Sequence, residues 1–429
     1  MRVIIGGICL VLLFLAISVM GQRGRGVSSL DVFLLSLLGA MLLLVGASGK
    51  WARWLRPRAV LIAIGTFLAL SIVEAYVRVF DPFPILLRGG RIDLPVNSKR
   101  QFSSNHMPGL DETVSVIFNS IGFRGPEPPT DWENNLTILC VGGSTTQCLY
   151  LSDESTWPAR LSKNLEKDFD HVWINNAGID GHSTFGHLEL LDQYITALNI
   201  KMLIFYVGLN DVDRMDLGGY DLSTLRSQSH ADDSLSRSLQ RRLLRNSDAF
   251  ALLDSFRLKW AAKRKGLTHG EPLGHRQSAN TLDVKPHSNA ERQKWLEERD
   301  PRCLVNYGSR LRTMVQRCNQ LRIDCVLMTQ AVLYGVGKDD LTGMDLEAIR
   351  IGEIDGWTHW NLLQQYNNVT LKVGDELGAP VIDMANKMPK SSLYFYDMTH
   401  LNNNGADTFA KIVHAELVPI LRSREQPLK

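Results

Sequence analysis

Residues 136–148 read LTILCVGGSTTQC, an apolar run followed by two glycines and three hydroxyl side chains. An apolar run of this length is typical of a buried strand in a parallel sheet, and glycines let the backbone turn sharply after it. Ser144 then stands at the carboxyl end of the strand, where open α/β sheets bind their ligands. The stretch predicts a nucleophilic serine, provided that the rest of the chain supplies a base and an oxyanion site.

Four further apolar runs follow along the chain. They are VWINNAG at 172–178, MLIFYVG at 202–208, DCVLMTQ at 324–330 and PVIDMA at 380–385. Amphipathic stretches such as WPARLSKNLEKDF and YGSRLRTMVQRCNQL lie between them, and this alternation is typical of a parallel sheet that helices cover on both faces. We therefore predict an α/β fold, a flavodoxin-like three-layer α/β/α sandwich with a five-stranded parallel sheet.

The first 80 residues hold three more apolar runs, at 3–20, 30–47 and 59–77. Each is close to the ~20 apolar residues that cross a bilayer, although the first could also be a signal peptide. The N-terminus and the loop at 50–58 carry more Lys and Arg than the loop at 21–29, which places everything after residue 80 outside the cytoplasm. Two spans instead of three would reverse this orientation. The apolar runs predict N-terminal transmembrane helices, membrane lipids as partners, and a multi-pass membrane protein with an extracytoplasmic catalytic domain.

The chain of 429 residues is accordingly divided into three parts. Residues 1–80 are the predicted membrane anchor, 81–133 a connecting segment rich in proline, glycine and polar residues, and 134–425 the predicted catalytic domain. An insertion at about 213–300 interrupts this domain; it is polar and partly basic, and its apolar positions suit helical packing. A lid, a surface for anionic headgroups and a solvated helical excursion are all compatible with it, and we favour the last.

Composition excludes several functions. The net charge of +2 gives no case for nucleic acid as a partner. Five cysteines follow the predicted anchor, but no CxxC pair and no Cys/His spacing matches a zinc site, and their disulfide pairing is left open. We predict no metal and no cofactor.

The partners that Ser144 needs are found at other predicted strand ends. YFYDMTHLNNNGA, at 394–406, follows the last strand and sets Asp397 three residues before His400, so that a carboxylate can reach one imidazole nitrogen while the other faces outward. NAGIDGHST at 176–184 offers the backbone N–H of Gly181, and VGLND at 207–211 offers the Asn210 amide, as donors to an oxyanion. Because the strands are parallel, all these loops meet at one edge of the sheet.

These residues resemble the four sequence blocks of the SGNH hydrolase superfamily, also called GDSL-like esterases and lipases. The blocks GGST, NAGIDG, GLND and DMTH occur in that order, within about residues 135–420 and outside the insertion. The resemblance implies that Ser144 is the nucleophile, that Gly181 and Asn210 form the oxyanion hole, and that Asp397 orients the base His400. The family's usual aspartate before the serine is Gly143 here, a variant of membrane-anchored bacterial members; NSIGFRGPE at 119–127 resembles a leader of the same subgroup.

Other interpretations of single residues are weaker. Ser144 considered alone could simply cap a helix. A phosphate-binding loop is not indicated, because GGSTTQ lacks the lysine of that motif. An α/β-hydrolase turn is not indicated either, because no G-x-S-x-G surrounds Ser144. His182 and His187 would need a third ligand to bind a metal. We expect three polar residues beside the blocks to support loop geometry, namely Asp180, Asp211 and Asn402.

The predicted function is that of a membrane-anchored serine esterase, which removes an acyl or acetyl group through an acyl-enzyme. The ester would be carried by an envelope carbohydrate or a lipid. One alternative is an acyltransferase that modifies the O-acetyl groups of an extracellular polysaccharide, with the same residues and a sugar hydroxyl as acceptor. Another is a non-catalytic carbohydrate-binding or assembly protein, but binding would not require Ser, His and Asp together.

Overall fold

The computed structural model describes residues 65, 69, 71–77, 87–88, 91–104, 107–212, 247–264, 285–351 and 353–425. The chain divides into two compact units. One comprises Met1–Asp93 and Gln228–Ala261, and the other comprises Leu94–Ser227 and Ala262–Lys429. The second unit contains the sheet and every residue that the sequence blocks single out.

The strands are described first, in chain order. They are β1 (Leu87–Arg88), β2 (Arg91–Ile92), β3 (Ser98–Ser103), β4 (Thr113–Phe118), β5 (Leu136–Gly142), β6 (Val172–Asn176), β7 (Met202–Tyr206), β8 (Asp324–Met328), β9 (Arg350–Ile351), β10 (Ile354–Asp355) and β11 (Val381–Ile382). Five of them form one sheet in the order β11-β8-β7-β5-β6, and every pair in it is parallel. The predicted five-stranded parallel sheet is confirmed.

The order of the strands has a direct consequence for the position of a site. From β5 the chain adds β6 on one side of β5 and then returns to add β7 on the other side. This is the flavodoxin-like order, and its switch point, where ligands bind, lies between the carboxyl ends of β5 and β7. The turn that carries Ser144 follows β5, and the turn that carries Asn210 follows β7.

The helices alternate with the strands. They are α1 (Ser144–Gln147), α2 (Trp157–Leu165), α3 (Thr184–Gln193), α4 (Asp248–Arg264), α5 (Asn289–Glu297), α6 (Arg302–Leu321), α7 (Gly356–Leu377), α8 (Met384–Lys387) and α9 (Asn403–Glu425). α2 packs against α9, whereas α6 contacts α3, α7 and β8. The two groups of helices give the sheet a helical layer on each face.

The strand residues alternate between these layers, as the period of a β-strand requires. Ile138, Cys140, Ile204 and Val326 belong to one buried cluster that also contains side chains of α2 and α9. Their neighbours in sequence, such as Leu139, Val141 and Leu203, are equally buried and point to the opposite face. Burial on both faces explains why these strands appear in the sequence as continuous apolar runs.

A hairpin of β3 and β4 precedes the sheet, with Ser98 paired to Phe118 and Ser103 to Thr113. It is attached to the segment after α1, because the Ser115 N–H donates to Ser152 Oγ (3.3 Å) and the Ile117 N–H donates to Asp153 Oδ2 (2.9 Å). Part of the predicted connecting segment is therefore a β-hairpin held next to the loop that follows Ser144.

The membrane predictions require correction. No helix within the described residues is long and apolar enough to cross a bilayer. This finding contradicts the predicted multi-pass membrane localisation, and the predicted transmembrane helices and membrane-lipid partners have no support within the described residues. The runs at 3–20 and 30–47 lie outside the described residues, and of the run at 59–77 only residues 65, 69 and 71–77 are described.

In the first unit, residues 71–77 are helical, and Glu74 binds the first turn of α4. Its carboxylate accepts hydrogen bonds from the Asp248 N–H (2.8 Å), the Ala249 N–H (3.0 Å) and the Ser247 hydroxyl (2.7 Å). A negative charge at this end of a helix satisfies orphan N–H groups and complements the helix dipole. Glu74 thus caps α4.

The predicted insertion is described only in part. Residues 213–246 and 265–284 lie outside the described residues, and between and after them stand α4 and the start of α5. The described parts of the insertion are largely helical, as its apolar spacing predicts. The role of the insertion stays a prediction. The domain boundaries at residues 80 and 133 also stay predictions. Cys140, Cys148, Cys318 and Cys325 are free thiols.

Candidate active site

Ser144 begins α1 directly after β5 and its two glycines. Its Oγ lies 2.8 Å from His400 Nε2, and His400 Nδ1 lies 2.7 Å from Asp397 Oδ2. In the tautomer that fits this geometry, Nδ1–H donates to the carboxylate and Nε2 accepts the serine proton. The structure therefore brings three predicted residues into one hydrogen-bonded line, although Ser144 and His400 are 256 positions apart.

The turn at residues 397–400 holds this carboxylate in place. Asp397 Oδ1 accepts hydrogen bonds from the Thr399 N–H (2.8 Å) and the His400 N–H (2.7 Å), which leaves Oδ2 directed at the imidazole. Only 1% of Asp397 is exposed, so its charge acts in a medium from which water is excluded. The three-residue spacing in DMTH is thus a short turn that orients the acid towards the base.

Burial and charge compete in setting the pKa values of this pair. Burial lowers the pKa of His400, but the charge of Asp397, its hydrogen bond and the charge of Asp180 raise it, and the net pKa is above the usual 6.5. Burial raises the pKa of Asp397, yet the His400 charge and the hydrogen bonds to the carboxylate bring the net pKa below 3.8. These two shifts favour the charged His400–Asp397 pair.

A chain of aromatic rings extends from the imidazole. Tyr396 stacks on His400, with ring centroids 5.6 Å apart and planes inclined by 10°. Tyr150 meets Tyr396 edge to face at 5.7 Å, and Phe102 of the hairpin meets Tyr150 in the same way at 5.7 Å. Burial raises the pKa of Tyr150, and the carboxylates of Asp180 and Asp397 raise it further, so this phenol keeps its proton.

The predicted oxyanion residues lie in the loops that follow β6 and β7. Asn210 belongs to a 3-10 turn after β7, and its Nδ2 donates to the His182 carbonyl at 3.0 Å. His182 directly follows Gly181, whose φ of 70° is the left-handed conformation that glycine adopts at little cost. The side-chain amide of Asn210 has a second N–H, which is the group that could bind an oxyanion.

Gly143 and Gly178 are required because two other segments approach their backbones closely. A Cβ on Gly143 would stand 2.2 Å from Asn210 Nδ2, and one on Gly178 would stand 2.2 Å from the backbone nitrogen of Gln147. Gly143 does not have a positive φ, so its role is to leave space rather than to permit a sharp turn. At position 143, the Asn210 amide therefore lies close to the backbone just before Ser144.

A buried ion pair joins the two oxyanion loops. Asp211 accepts hydrogen bonds from the N–H (3.1 Å) and hydroxyl (2.6 Å) of Thr184, and it pairs with Arg310 Nη2 at 3.2 Å. Arg310 Nε also donates to the Thr184 hydroxyl at 2.7 Å, and its guanidinium lies 3.7 Å from the centre of the Phe185 ring. Asp211 therefore supports loop geometry, whereas its partner Arg310, in the middle of α6, has no signal in the sequence.

The remaining polar residues near the blocks are structural. Asn402 Oδ1 accepts a hydrogen bond from the Gly405 N–H (2.9 Å) at the start of α9, and its Nδ2 donates to the Leu393 carbonyl (3.0 Å). His182 and His187 are both buried. In the part of the chain that the structure describes, no group of three His, Cys, Asp or Glu side chains is placed to hold a metal ion. Burial raises the pKa of the neighbouring Cys148 to about 11, so this thiol is no competing nucleophile.

Two buried residues that hold α1 were not identified as site residues. Arg124, in the GFRG stretch, donates to the Cys148 carbonyl (3.0 Å) and the Leu151 carbonyl (2.8 Å). Asn176, the last residue of β6, donates to the Thr146 carbonyl (2.7 Å). Both lie inside quoted sequence stretches, but only the fold shows that they contact the helix of Ser144.

Comparison with known proteins gives the following. No family model and no curated protein matches the chain. It is similar to the solved structure of a G-D-S-L family protein from Desulfitobacterium hafniense DCB-2, with 11% identity over 66% of this chain and 99% of the other, at a TM-score of 0.35. It is similar to an acetylxylan esterase from Geobacillus stearothermophilus, with 13% identity over 66% of this chain and 93% of the other, at a TM-score of 0.36. It is also similar to a psychrotrophic esterase from Pseudoalteromonas sp., with 12% identity over 67% of this chain and 100% of the other, at a TM-score of 0.37.

The resemblance stated from the sequence agrees with the structure in the position of its blocks. Its four blocks follow one another in the expected order, and each stands at or after the carboxyl end of a strand of the predicted sheet. The sheet then brings the side chains of distant blocks within hydrogen-bonding distance. Four ordered blocks on a flavodoxin-like sheet are the features in which the chain resembles the SGNH hydrolase superfamily, the GDSL-like esterases and lipases.

Proposed function

We propose that the protein hydrolyses its ester through a Ser144-His400-Asp397 triad and an acyl-enzyme. The observation that carries this proposal is the 2.8 Å contact of Ser144 Oγ with His400 Nε2, in line with the 2.7 Å contact of His400 Nδ1 with Asp397. A nucleophile, a base within hydrogen-bond reach of it and a third group that orients the base are the arrangement needed for nucleophilic catalysis by serine.

The first half-reaction forms the acyl-enzyme. Ser144 Oγ attacks the carbonyl carbon of the ester while its proton passes to His400 Nε2. The imidazolium is stabilised by Asp397, to which Nδ1 donates. When the tetrahedral intermediate collapses, the carbon–oxygen bond to the leaving alcohol breaks, and the alcohol takes the proton from Nε2.

The second half-reaction reverses the roles. Water attacks the acyl carbon and gives a proton to His400 Nε2, and collapse of the second tetrahedral intermediate returns that proton to Ser144 Oγ as the carboxylic acid leaves. In both steps the carbonyl oxygen becomes negatively charged. The Asn210 amide, the Gly181 N–H and the Ser144 N–H are the proposed donors to it, supported by their common location at the ends of β5, β6 and β7.

We further propose that the acyl group is small and is carried by a carbohydrate. The support is the aromatic chain of Phe102, Tyr150 and Tyr396, which leads from His400 to the partly exposed hairpin. Sugar rings pack on aromatic faces through their C–H groups and hydrogen-bond to phenols and carboxylates. Tyr150 keeps a proton to donate, and the charge of Asp180 acts on its hydroxyl.

The test combines a covalent probe with an activity screen. We expect a fluorophosphonate to label Ser144 and the protein to hydrolyse p-nitrophenyl acetate faster than longer-chain esters, with Ser144→Ala abolishing both. Ser162→Ala is the matched control, because its hydroxyl contacts only the exposed Glu166 on α2 among the described side chains. Full activity of Ser144→Ala would exclude the mechanism.

Substrate class is tested separately. We expect Tyr150→Ala to raise KM for an acetylated xylo-oligosaccharide by about tenfold, because it removes an aromatic face on which a sugar ring could pack, and to change KM for ethyl acetate little. Equal effects on both esters would contradict a carbohydrate substrate. Products analysed with added oligosaccharide as acceptor would separate hydrolysis from acyl transfer.

A further inference from the structure

Ser144, the proposed nucleophile, lies on a helix that is too short to be stable by itself. α1 has four residues, one turn, and a single turn fixes several dihedral angles for very few hydrogen bonds. The carbonyls at the carboxyl end of a helix also have no partner within it. The position of Ser144 relative to His400 therefore depends on what binds α1 at its other end.

Arg124 binds that end. Its Nη1 donates to the carbonyls of Gln147 (2.5 Å) and Cys148 (3.0 Å), and its Nη2 donates to the Leu151 carbonyl (2.8 Å). Its Nε and Nη2 lie 2.9 and 2.8 Å from Asp153 Oδ1, which neutralises the charge. Only 2% of Arg124 is exposed, so one buried guanidinium binds the last residue of α1 and the segment that follows it.

The Arg124 backbone is itself attached to the sheet. The Arg124 N–H donates to the Asn176 carbonyl (3.0 Å), and the Asn176 N–H donates to the Arg124 carbonyl (2.8 Å). The Asn176 side chain in turn donates to the Thr146 carbonyl at 2.7 Å. Arg124 and Asn176 thus connect α1 to the carboxyl end of β6, a rigid element of the same sheet edge.

We propose that Arg124 is a positioning residue, whose guanidinium fixes α1 so that Ser144 Oγ stays within hydrogen-bond reach of His400 Nε2. The inference rests on the proposed function. Misplacement by about 1 Å can cost an enzyme on the order of 10²-fold in rate, and α1 has no internal means of preventing it. Lysine would not replace Arg124. The planar guanidinium has five N–H groups and binds three carbonyls and a carboxylate together, whereas the three N–H groups of an ammonium all lie on one nitrogen.

The experiment compares Arg124→Lys and Arg124→Ala with the matched control Arg160→Lys. Arg160 also donates to a backbone carbonyl, that of Ser155 (3.2 Å), and pairs with a carboxylate, that of Asp407 (3.3 Å), but it does not contact α1. kcat, KM and the pH profile are measured for p-nitrophenyl acetate, per active site titrated with a fluorophosphonate at Ser144. Tm is recorded for each variant.

We expect Arg124→Lys to lower kcat by about 10- to 100-fold, with KM changed by less than about threefold and the acid limb of the pH profile in place. Free guanidinium, well below unfolding concentrations, should partly restore kcat of Arg124→Ala. Arg160→Lys should keep kcat. A merely structural role would lower Tm and the number of titratable sites while kcat per site stayed the same.

The inference is overturned if folded Arg124→Lys retains kcat within about twofold, or if the loss disappears when rates are expressed per titrated site. If neither Arg124 variant folds, Asn176→Ala tests the same attachment through the Thr146 carbonyl: a fall in kcat per site supports it, and an unchanged kcat overturns it. Activity in Ser144→Ala would instead refute the proposed function, so the two failures are distinguishable.

Discussion

Single residues set the protonation of the site. The raised pKa of His400 and the lowered pKa of Asp397 have opposite links to pH. His400 contributes stability that is fully present below its unfolded pKa and is lost as pH rises through the higher folded pKa. Asp397 contributes stability that is present above its unfolded pKa and is lost as pH falls through the lower folded pKa. The proposed mechanism needs neutral His400, so we expect activity to rise with pH over the range in which the contribution of His400 to stability declines.

Asp180 is expected to affect the pH range over which activity rises, because its charge raises the pKa of His400. Asp180→Asn should move the acid limb of the kcat/KM profile to lower pH, since less charge then favours the imidazolium. Asp192→Asn is the control, as Asp192 pairs with Arg317 on the surface. A limb that stays in place or moves to higher pH would contradict the assignment.

Asn210 is expected to act on the transition state. Asn210→Ala should lower kcat by ~10²–10³ with little change in KM, because an oxyanion donor acts mainly when the charge develops. Steady-state kinetics on p-nitrophenyl acetate measure this. Asn361→Ala removes an amide that likewise donates to a backbone carbonyl, that of Trp357 at 2.8 Å, and should leave kcat unchanged. A loss confined to KM would exclude the oxyanion role.

At the scale of elements, the site is made by turns that pack on one another. The turn after β5, the loop after β6 and the turn after β7 touch at Gly143, Gly178 and Asn210, and α6 joins two of them through Arg310. Each turn alone is a short polar sequence. Their contacts follow from the parallel order of the strands, which puts three carboxyl ends side by side.

Gly143→Ala tests this packing. The added Cβ would stand 2.2 Å from Asn210 Nδ2, so the amide must move, and we expect kcat to fall by about 10- to 100-fold. Gly143→Asp, which restores the usual residue of the family pattern, should be at least as slow here. Gly308→Ala in α6 should keep its kcat. Normal kinetics for Gly143→Ala would show that Asn210 does not depend on this space.

The same scale shows why some residues were missed. The strand-end blocks are contiguous in sequence, so their pattern predicts them. Arg124 and Arg310 act on these blocks from a loop and from the middle of a helix, 20 or more residues away along the chain. A single arginine in an otherwise amphipathic or polar stretch has no periodicity that distinguishes a buried guanidinium from a solvated one.

At the scale of the whole molecule, the layer of α2 and α9 covers the sheet below the site. Trp157 meets Phe409 at 5.0 Å between ring centroids, and Phe409 meets Tyr206 of β7 at 5.1 Å. All three rings are buried. Tyr206 ends the strand that leads to Asn210, so packing in this layer supports the sheet edge on which the site stands.

Phe409→Ala is expected to lower the free energy of unfolding by about 3–5 kcal/mol, because it removes a fully buried ring and leaves a cavity. Urea denaturation followed by tryptophan fluorescence measures the change. Leu393→Ala, at a side chain that is 45% exposed, should cost far less. A loss below about 1 kcal/mol for Phe409→Ala would mean that the layer repacks around the gap.

The sequence by itself determined the five parallel strands and the four blocks at their ends, because continuous apolar runs and glycine-rich turns are local patterns with local causes. Only the tertiary structure decided that Asn210 needs Gly143 to lack a side chain, that Asp180 acts on His400, and that Arg124 holds α1. Within the described residues it also shows no helix that could span a bilayer. Contacts between residues far apart along the chain depend on strand order and side-chain direction, and neither is written in any short stretch of sequence.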